Sequence, residues 1–489
     1  MRHALRAAGF FLLVGASLIP LAACGHRGAS TTLPPTSAQS AHRGVREVSS
    51  ADLHAGGDWA PAIAYMGGVG NQPVGRYTDA QTLPSASSLF GTAPTIGNIY
   101  YCGMADGTPD YTLDAYIFPA NSSSEVTTAC AAAGLLSTGM GAHSVMPDFV
   151  GYGLAMSFAD YPSYSSQRKA AYGEPVEFPL LYSTISFAYN KADLTNIPTN
   201  QQLKLSVGTY CGIASGKIDN WNDPAIVADN GGVFPVATNP PGEAVTITNF
   251  FHHDDVSGTN LYLQQYLLLN CPAGTWDALG AAPNWLGPMG SEFSPKSGDP
   301  GVAHAIAATP YSIGIINAAY GLSMTPHLGQ AQLQNRSGNY ASPTSASALA
   351  AAVENIALSQ VVAGASDAAG YVGAVSLGSS RPDCVFYLNP RLLTAQQFPD
   401  PNAYPIVGVS YLFYYGKNSV HLSDVTTLVQ FLAGHGSTTR PTLPIGYHYV
   451  DSSITDEVNN AITGGTPSSS FRDINGNPVS RASPCLQQP

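Results

Sequence analysis

The run from Ala244 to Leu269 constrains the fold more than any other stretch of the chain. Ala244 to Phe251 alternates apolar and polar residues and reads as a strand. His252 to Thr259 is a short polar turn, and the apolar-periodic Leu261 to Leu269 reads as a helix. This strand, turn and helix put Ser257 at a helix N-cap and Gly258 where backbone can approach closely. The first amides of such a helix lack intrahelical partners, so the turn attracts a small oxyanion.

The N-terminus carries Arg2, His3 and Arg6, an apolar stretch from Ala8 to Pro20, and then Leu21-Ala22-Ala23-Cys24. A basic start, a short apolar stretch and small residues before a cysteine describe an export signal too short to span a bilayer. The arrangement resembles a bacterial lipobox, in which Cys24 is lipidated and becomes the mature N-terminus. Residues 1–24 are therefore expected to be a signal peptide, and Gly25 after the cysteine favours the outer membrane if the cell is Gram-negative. Residues 25–50, rich in Ser, Thr, Ala, Pro and Gly, read as a flexible tether. The protein is expected to be exported to the periplasm or cell surface and held there by lipid.

The remaining 439 residues (489 minus 50) suffice for two or more lobes. Only 10% of residues are charged and the net charge is −12, which argues against nucleic acid as a partner. Any anion must then be held by local dipoles and hydrogen bonds, because the overall field repels it. Six cysteines besides Cys24 in an exported chain read as disulfides. Pairing of sequence neighbours is favoured: Cys102 with Cys130, Cys211 with Cys271, Cys384 with Cys485. No CxxC pair occurs, so a zinc site is not expected.

Four further stretches join the Ser-Gly-Thr turn in resembling the substrate-binding proteins of phosphate ABC transporters. They are Leu205 to Pro224 (LSVGTYCGIASGKIDNWNDP), Gly301 to Gly314 with Thr309-Pro310 inside it, Gln332 to Gly338, and Tyr404 to Tyr415. On the residues alone, Ser206 caps a helix, Gly216 ends it and Trp221 packs the corner. The cysteines at 211 and 271 resemble the DING branch of that family, in which those positions are bridged and another cysteine lies near the C-terminus. The resemblance implies an α/β, two-lobe periplasmic-binding-protein-like (type 2) fold with two crossover strands. Phe178 to Asn190 would be the outgoing crossover and Tyr404 to Tyr415 the return. Lobe one would comprise residues 51–182 plus 409–489, and lobe two residues 183–408.

The resemblance also implies a phosphate site. Ser257, Gly258 and Thr259 match the phosphate-gripping turn. Asp160 matches an acidic residue that would accept a proton from the ligand, and Ser122 aligns with a helix-start serine, with Ser123 and Ser124 competing for that role. In Gly56-Gly57-Asp58-Trp59-Ala60-Pro61 the amide of Ala60 would face the ligand, while Trp59 replaces a threonine. His253 stands where the family has arginine, with Asp255 as its acidic partner. Histidine offers fewer donors and a charge that depends on pH.

The expected function is thus a lipid-anchored extracytoplasmic binding protein, a monomer without cofactor or catalysis, that takes inorganic phosphate or a related oxyanion to an ABC transporter in the membrane. The alternatives are a secreted phosphoester hydrolase, with Ser257 or Thr259 as nucleophile and His253 as base, and a surface adhesion or matrix protein. His252-His253-Asp254-Asp255 offers metal-ligand chemistry, but adjacent histidines on a strand end point to opposite sides.

Overall fold

The computed structural model describes residues 52–67, 85–94, 97–104, 148–167, 169–276, 279–367, 374–378, 381–394, 400–417, 421–434 and 440–488. Cys24, Ser122 and Cys130, and with them the signal, the tether and one expected disulfide, lie outside these residues.

Its centre is the strand Pro175–Tyr189, here β4, buried along all fifteen residues. A run such as Val176, Phe178, Leu180 to Tyr182 and Ile185 to Tyr189 suits a strand covered on both faces, which needs no alternation. β4 serves two sheets in succession. Its first part, up to Thr184, pairs antiparallel with β8 (Val407–Tyr415), and its second part, Ile185 to Tyr189, pairs antiparallel with β7 (Ile313–Asn317). Beyond β8 lie β3 (Phe149–Tyr152), β1 (Leu53–Asp58) and β2 (Ile99–Met104). Beyond β7 lie β5 (Phe250–His253) and β6 (Phe293–Lys296). β1, β2 and β3 run parallel to one another, as do β5, β6 and β7. The result is a two-lobe α/β fold in which strands β4 and β8 are the crossovers expected from the sequence.

The strand-turn-helix run folds with one correction. The helix is Gly258–Asn270 (α2), longer than the apolar period suggested, but only Phe250–His253 of the preceding alternation is strand. Residues 244–249 instead dock on the corner after helix Val207–Ala214 (α1): Trp221 N donates to Val245 O at 2.8 Å and Ile247 N to Asp219 O at 2.7 Å. Side-chain alternation fixes which face is buried, not which neighbour supplies the backbone hydrogen bonds. Trp221 is fully buried at that corner, and Gly216 takes the left-handed φ of 72° that ends the α1 segment.

Cys211 and Cys271 are bridged with a Cα–Cα distance of 5.7 Å, tying the end of α2 to α1. Cys384 and Cys485 are bridged at 5.6 Å and fix the C-terminal tail to the 3₁₀ turn Pro382–Cys384. No helix among the described residues is long and apolar enough to cross a membrane.

Candidate functional site

The carboxyl ends of β1, β3 and β5 converge where the two sheets meet, the usual place for a ligand in an open α/β architecture. β5 ends in His253, the chain turns through Asp255, and α2 begins. Ser257 Oγ accepts from Thr259 N at 3.1 Å, which makes it the N-cap, and Ser257 is also 3.0 Å from His253 Nδ1. Ten consecutive residues of α2, Gly258 to Leu267, are buried, so this helix start is internal. Its docking is close. A Cβ added to Gly258 would stand 2.2 Å from Gly153 O, the residue that follows β3.

A small cavity, about 10 Å³ and partly open to solvent, lies at this meeting point. Among its lining residues are Asp58, Ala60, Ser183, Gly258, Thr259 and Ser410. A cavity of that size has room for about one water. The hydroxyls of Ser183 on β4, Ser410 on β8 and Thr259 on α2 make no hydrogen bond to the described residues. Ser410 sits where the β4/β8 register shifts, an irregularity that re-aims a strand side chain. Asp58 Oδ1 accepts from Ala60 N at 3.0 Å, whereas Asp58 Oδ2 is buried with no partner. Three hydroxyl donors and one carboxylate oxygen therefore share one cavity with unmet hydrogen-bonding capacity.

Behind Asp58 lies a buried charge cluster. His253 Nδ1 is 3.5 Å from Asp255 Oδ1, and His253 Nε2 is 3.4 Å from Asp299 Oδ1. Asp299 belongs to the first turn of helix Gly298–Ala308 (α3), and its Oδ1 also accepts from Asn317 N. Burial alone would drive the proton off His253, but the carboxylates of Asp299 and Asp255 more than offset it and hold the pKa well above the ordinary value. Burial, then the Asp299 carboxylate, push Asp58 up to about 7, against the Ala60 amide and His253, with Asp255 adding to the rise. His252 faces elsewhere. It stacks on Trp285 with ring centroids 4.6 Å apart, donates to His253 O, and burial lowers its pKa to about 4.

The loop after β1 crosses to the other lobe. Trp59 covers Gly298, where an added Cβ would come within 2.6 Å of the indole. Trp59 O accepts from Tyr320 at 2.7 Å, and Ala60 O accepts from Tyr447 at 2.5 Å and from Asn317 Nδ2 at 3.3 Å. Trp59 thus supplies interlobe contact at the position where a threonine was missed.

Ser257, Gly258, Thr259, His253 and Ala60 are brought together, with one change of role. The Ala60 amide is taken by Asp58, so it does not face the cavity. Asp160 is placed apart. Its Oδ2 turns back to accept from the amide of Ser157 at 3.1 Å and from the Ser157 hydroxyl, and it is not among the residues lining the cavity. The acid that does line it, Asp58, lies inside the Gly-Gly-Asp-Trp motif. Its signal was present in the sequence, whereas Ser183, Ser410 and Asp299 carry no local motif.

The Ser257, His253 and Asp299 contacts follow the order of a nucleophile, base and acid. The imidazole, however, holds its proton between two carboxylates and acts as a donor, and Ser257 Oγ is engaged as the helix cap. Among the described residues, the one His, Cys, Asp or Glu grouping tight enough for a metal ion is Asp383 with Cys384 and Cys485. Those two sulfurs are joined in the disulfide.

Residues 138–433, more than half of the chain, match the family described as the PBP superfamily domain. The phosphate-binding protein PstS of Methanocaldococcus jannaschii is 26% identical over 252 residues, which is 51% of this chain and 56% of that protein. The phosphate-binding protein PstS of Pasteurella multocida is 34% identical over 162 residues, 32% of this chain and 43% of that one. The chain spans about half the length of the curated relatives it matches. Among solved structures, a high-affinity periplasmic phosphate-binding protein, PfluDING, bound with phosphate, aligns over 88% of this chain and 99% of its own at 15% identity and a TM-score of 0.53. A phosphate-binding protein from Stenotrophomonas maltophilia aligns over 87% and 96% at 18% identity and a TM-score of 0.52. At these identities the likeness shows the fold.

Proposed function

Because the chain belongs to the PBP superfamily, we propose that it is an extracytoplasmic binding protein that captures inorganic phosphate, or a closely related tetrahedral oxyanion, for an ABC transporter. The observation that carries this reading is the convergence of the Thr259, Ser183 and Ser410 hydroxyls and Asp58 Oδ2 on one small cavity at the start of α2. Hydroxyls and helix-start dipoles suit an oxyanion in a protein whose net charge is −12. The names of the relatives point to the same ligand.

Asp58 takes the role the sequence suggested for Asp160. A carboxylate facing an anion is repulsive unless a proton lies between them. Phosphate enters together with one proton shared with Asp58, and sulfate, which carries none near neutral pH, is disfavoured. His253 stands behind the turn, donating to Ser257 and neutralised by Asp255 and Asp299, so it positions the grip without adding net positive charge. Closure of the lobes, residues 51–182 plus 409–489 against 183–408, sequesters the ligand. Lipid attachment at Cys24, export and a monomeric state complete the proposal.

Calorimetric titration of ligand-stripped full-length protein with phosphate, sulfate and methylphosphonate tests the reading. Phosphate is expected to give saturable heat at one site, with little net proton uptake at pH 8 because monohydrogen phosphate brings the shared proton itself, and sulfate little or no heat. Absence of heat with all three would favour the adhesion reading. Turnover of a chromogenic phosphoester, lost in Ser257→Ala, would favour the hydrolase.

A further inference from the structure

A second cavity, about 360 Å³, lies at the opposite end of the β4/β8 pair, lined by Lys169, Glu174, Val176, Arg381, Lys417 and Ser483 among others. Val176 is seven residues from Ser183 along β4, and at about 3.3 Å per residue this cavity is roughly 20 Å from the cleft. It gathers three of the nineteen lysines and arginines of an acidic protein.

Most of its charged groups are paired, and two donors are left over. Glu174 Oε1 is paired with Lys169 Nζ at 2.5 Å, and Glu174 Oε2 accepts from the Tyr161 hydroxyl at 2.7 Å. Arg381 forks onto both oxygens of Asp383 and also donates to Ser483 Oγ, Ser483 O and Pro484 O. Ser483 Oγ accepts twice, from Arg381 at 3.0 Å and from Gln487 Nε2 at 2.7 Å, so its own hydrogen is directed away from both. No acceptor for that hydrogen occurs among the described residues. The Lys417 ammonium likewise has no hydrogen-bond or ion-pair partner among them. Its stem passes over Gly173, where a Cβ would meet Lys417 Cγ at 3.0 Å. Pairing Lys169 with Glu174 and Arg381 with Asp383 leaves one positive charge, on Lys417, beside one free hydroxyl donor.

The geometry points to a second binding site, for a small organic monoanion whose carboxylate is held by Lys417 and Ser483 while its body lies against Val176 and the Cys384–Cys485 disulfide. The volume falls at the lower end of the range of small-molecule sites. The C-terminal tail forms one wall, and the disulfide that anchors the tail is thereby a structural part of the site.

Titration of the full-length protein, saturated with phosphate, with benzoate and with benzamide as its uncharged isostere tests this. Benzoate is expected to bind with one-to-one stoichiometry and benzamide at least about tenfold more weakly, the scale of a charge-assisted hydrogen bond. Lys417→Met should weaken benzoate about tenfold or more and Ser483→Ala several-fold, with phosphate titration unchanged in both. Equal binding of benzoate and benzamide, no benzoate binding at millimolar concentration, or benzoate affinity indifferent to Lys417→Met in a folded variant would overturn the assignment.

Discussion

His253 Nδ1 and Ser257 Oγ stand 3.0 Å apart, joining the end of a buried strand to the cap of the helix that faces the cavity. The imidazole behind that contact is held between Asp255 and Asp299, so the orientation of the Ser-Gly-Thr turn depends on a buried ion cluster. This cluster sets the first prediction.

His253→Leu leaves two buried carboxylates without a counter-ion and should destabilise the protein by about 3–5 kcal/mol in urea unfolding at pH 6. The folded pKa of His253 is raised, so its contribution is complete below the unfolded value of about 6.5 and is lost as pH rises through the folded value. The gap between wild type and variant should therefore narrow in alkaline buffer. A gap constant from pH 6 to pH 10 would contradict the charged-imidazole assignment.

Asp58 gives a second pH signature. Its folded pKa of about 7 lies above the ordinary carboxyl value of 3.8, so between those limits the folded state keeps a proton that the unfolded state releases. Wild-type stability should fall as pH climbs through that window and level off above it. Asp58→Asn should remove this slope, leaving the variant more stable at pH 8 by on the order of a few kcal/mol and little changed near pH 4. Paired urea titrations at the two pH values check both parts.

Ser410→Ala and Thr259→Val each delete one hydroxyl that has no other partner in the cavity. Each should weaken phosphate about tenfold while leaving the circular dichroism spectrum and unfolding midpoint close to wild type. Unchanged affinity in both would place the ligand elsewhere.

Gly258→Ala puts a methyl group 2.2 Å from the Gly153 carbonyl, a backbone atom that cannot rotate away. The α2 start must then back off from β3, so phosphate affinity should drop by more than tenfold. Small-angle scattering should show a larger radius of gyration with phosphate present than for wild type. Wild-type affinity in this variant would mean that the contact does not govern closure.

Much of this arrangement is legible along the chain because its causes are local. The polar turn followed by an apolar period specifies α2 and its Ser257 cap, and the long apolar run after Pro175 specifies a strand buried on both faces. Cysteine placement and the Gly-Lys-Ile and Thr-Pro motifs suggested the two-lobe class and the Cys211–Cys271 and Cys384–Cys485 bridges. The composition of the cavity is a different matter. Ser183 and Ser410 lie in largely apolar strands with no local motif around them, and only the β4/β8 pairing with its register shift brings them to the cavity that Thr259 also lines. Asp299 starts a helix and Asp58 ends a strand far away in sequence, so the influence of Asp299 on both His253 and Asp58 depends on distances that no local spacing encodes. The proposed role of Asp58 in place of Asp160 rests on tertiary structure for the same reason. Asp160 is held by Ser157 in its own loop, whereas one oxygen of Asp58, a residue lining the cavity, is buried without a partner. Local sequence determines caps, turns and buried faces through short-range sterics and hydrogen bonding. Which polar atoms remain unsatisfied, and so can grip a ligand, is decided when distant segments close over them.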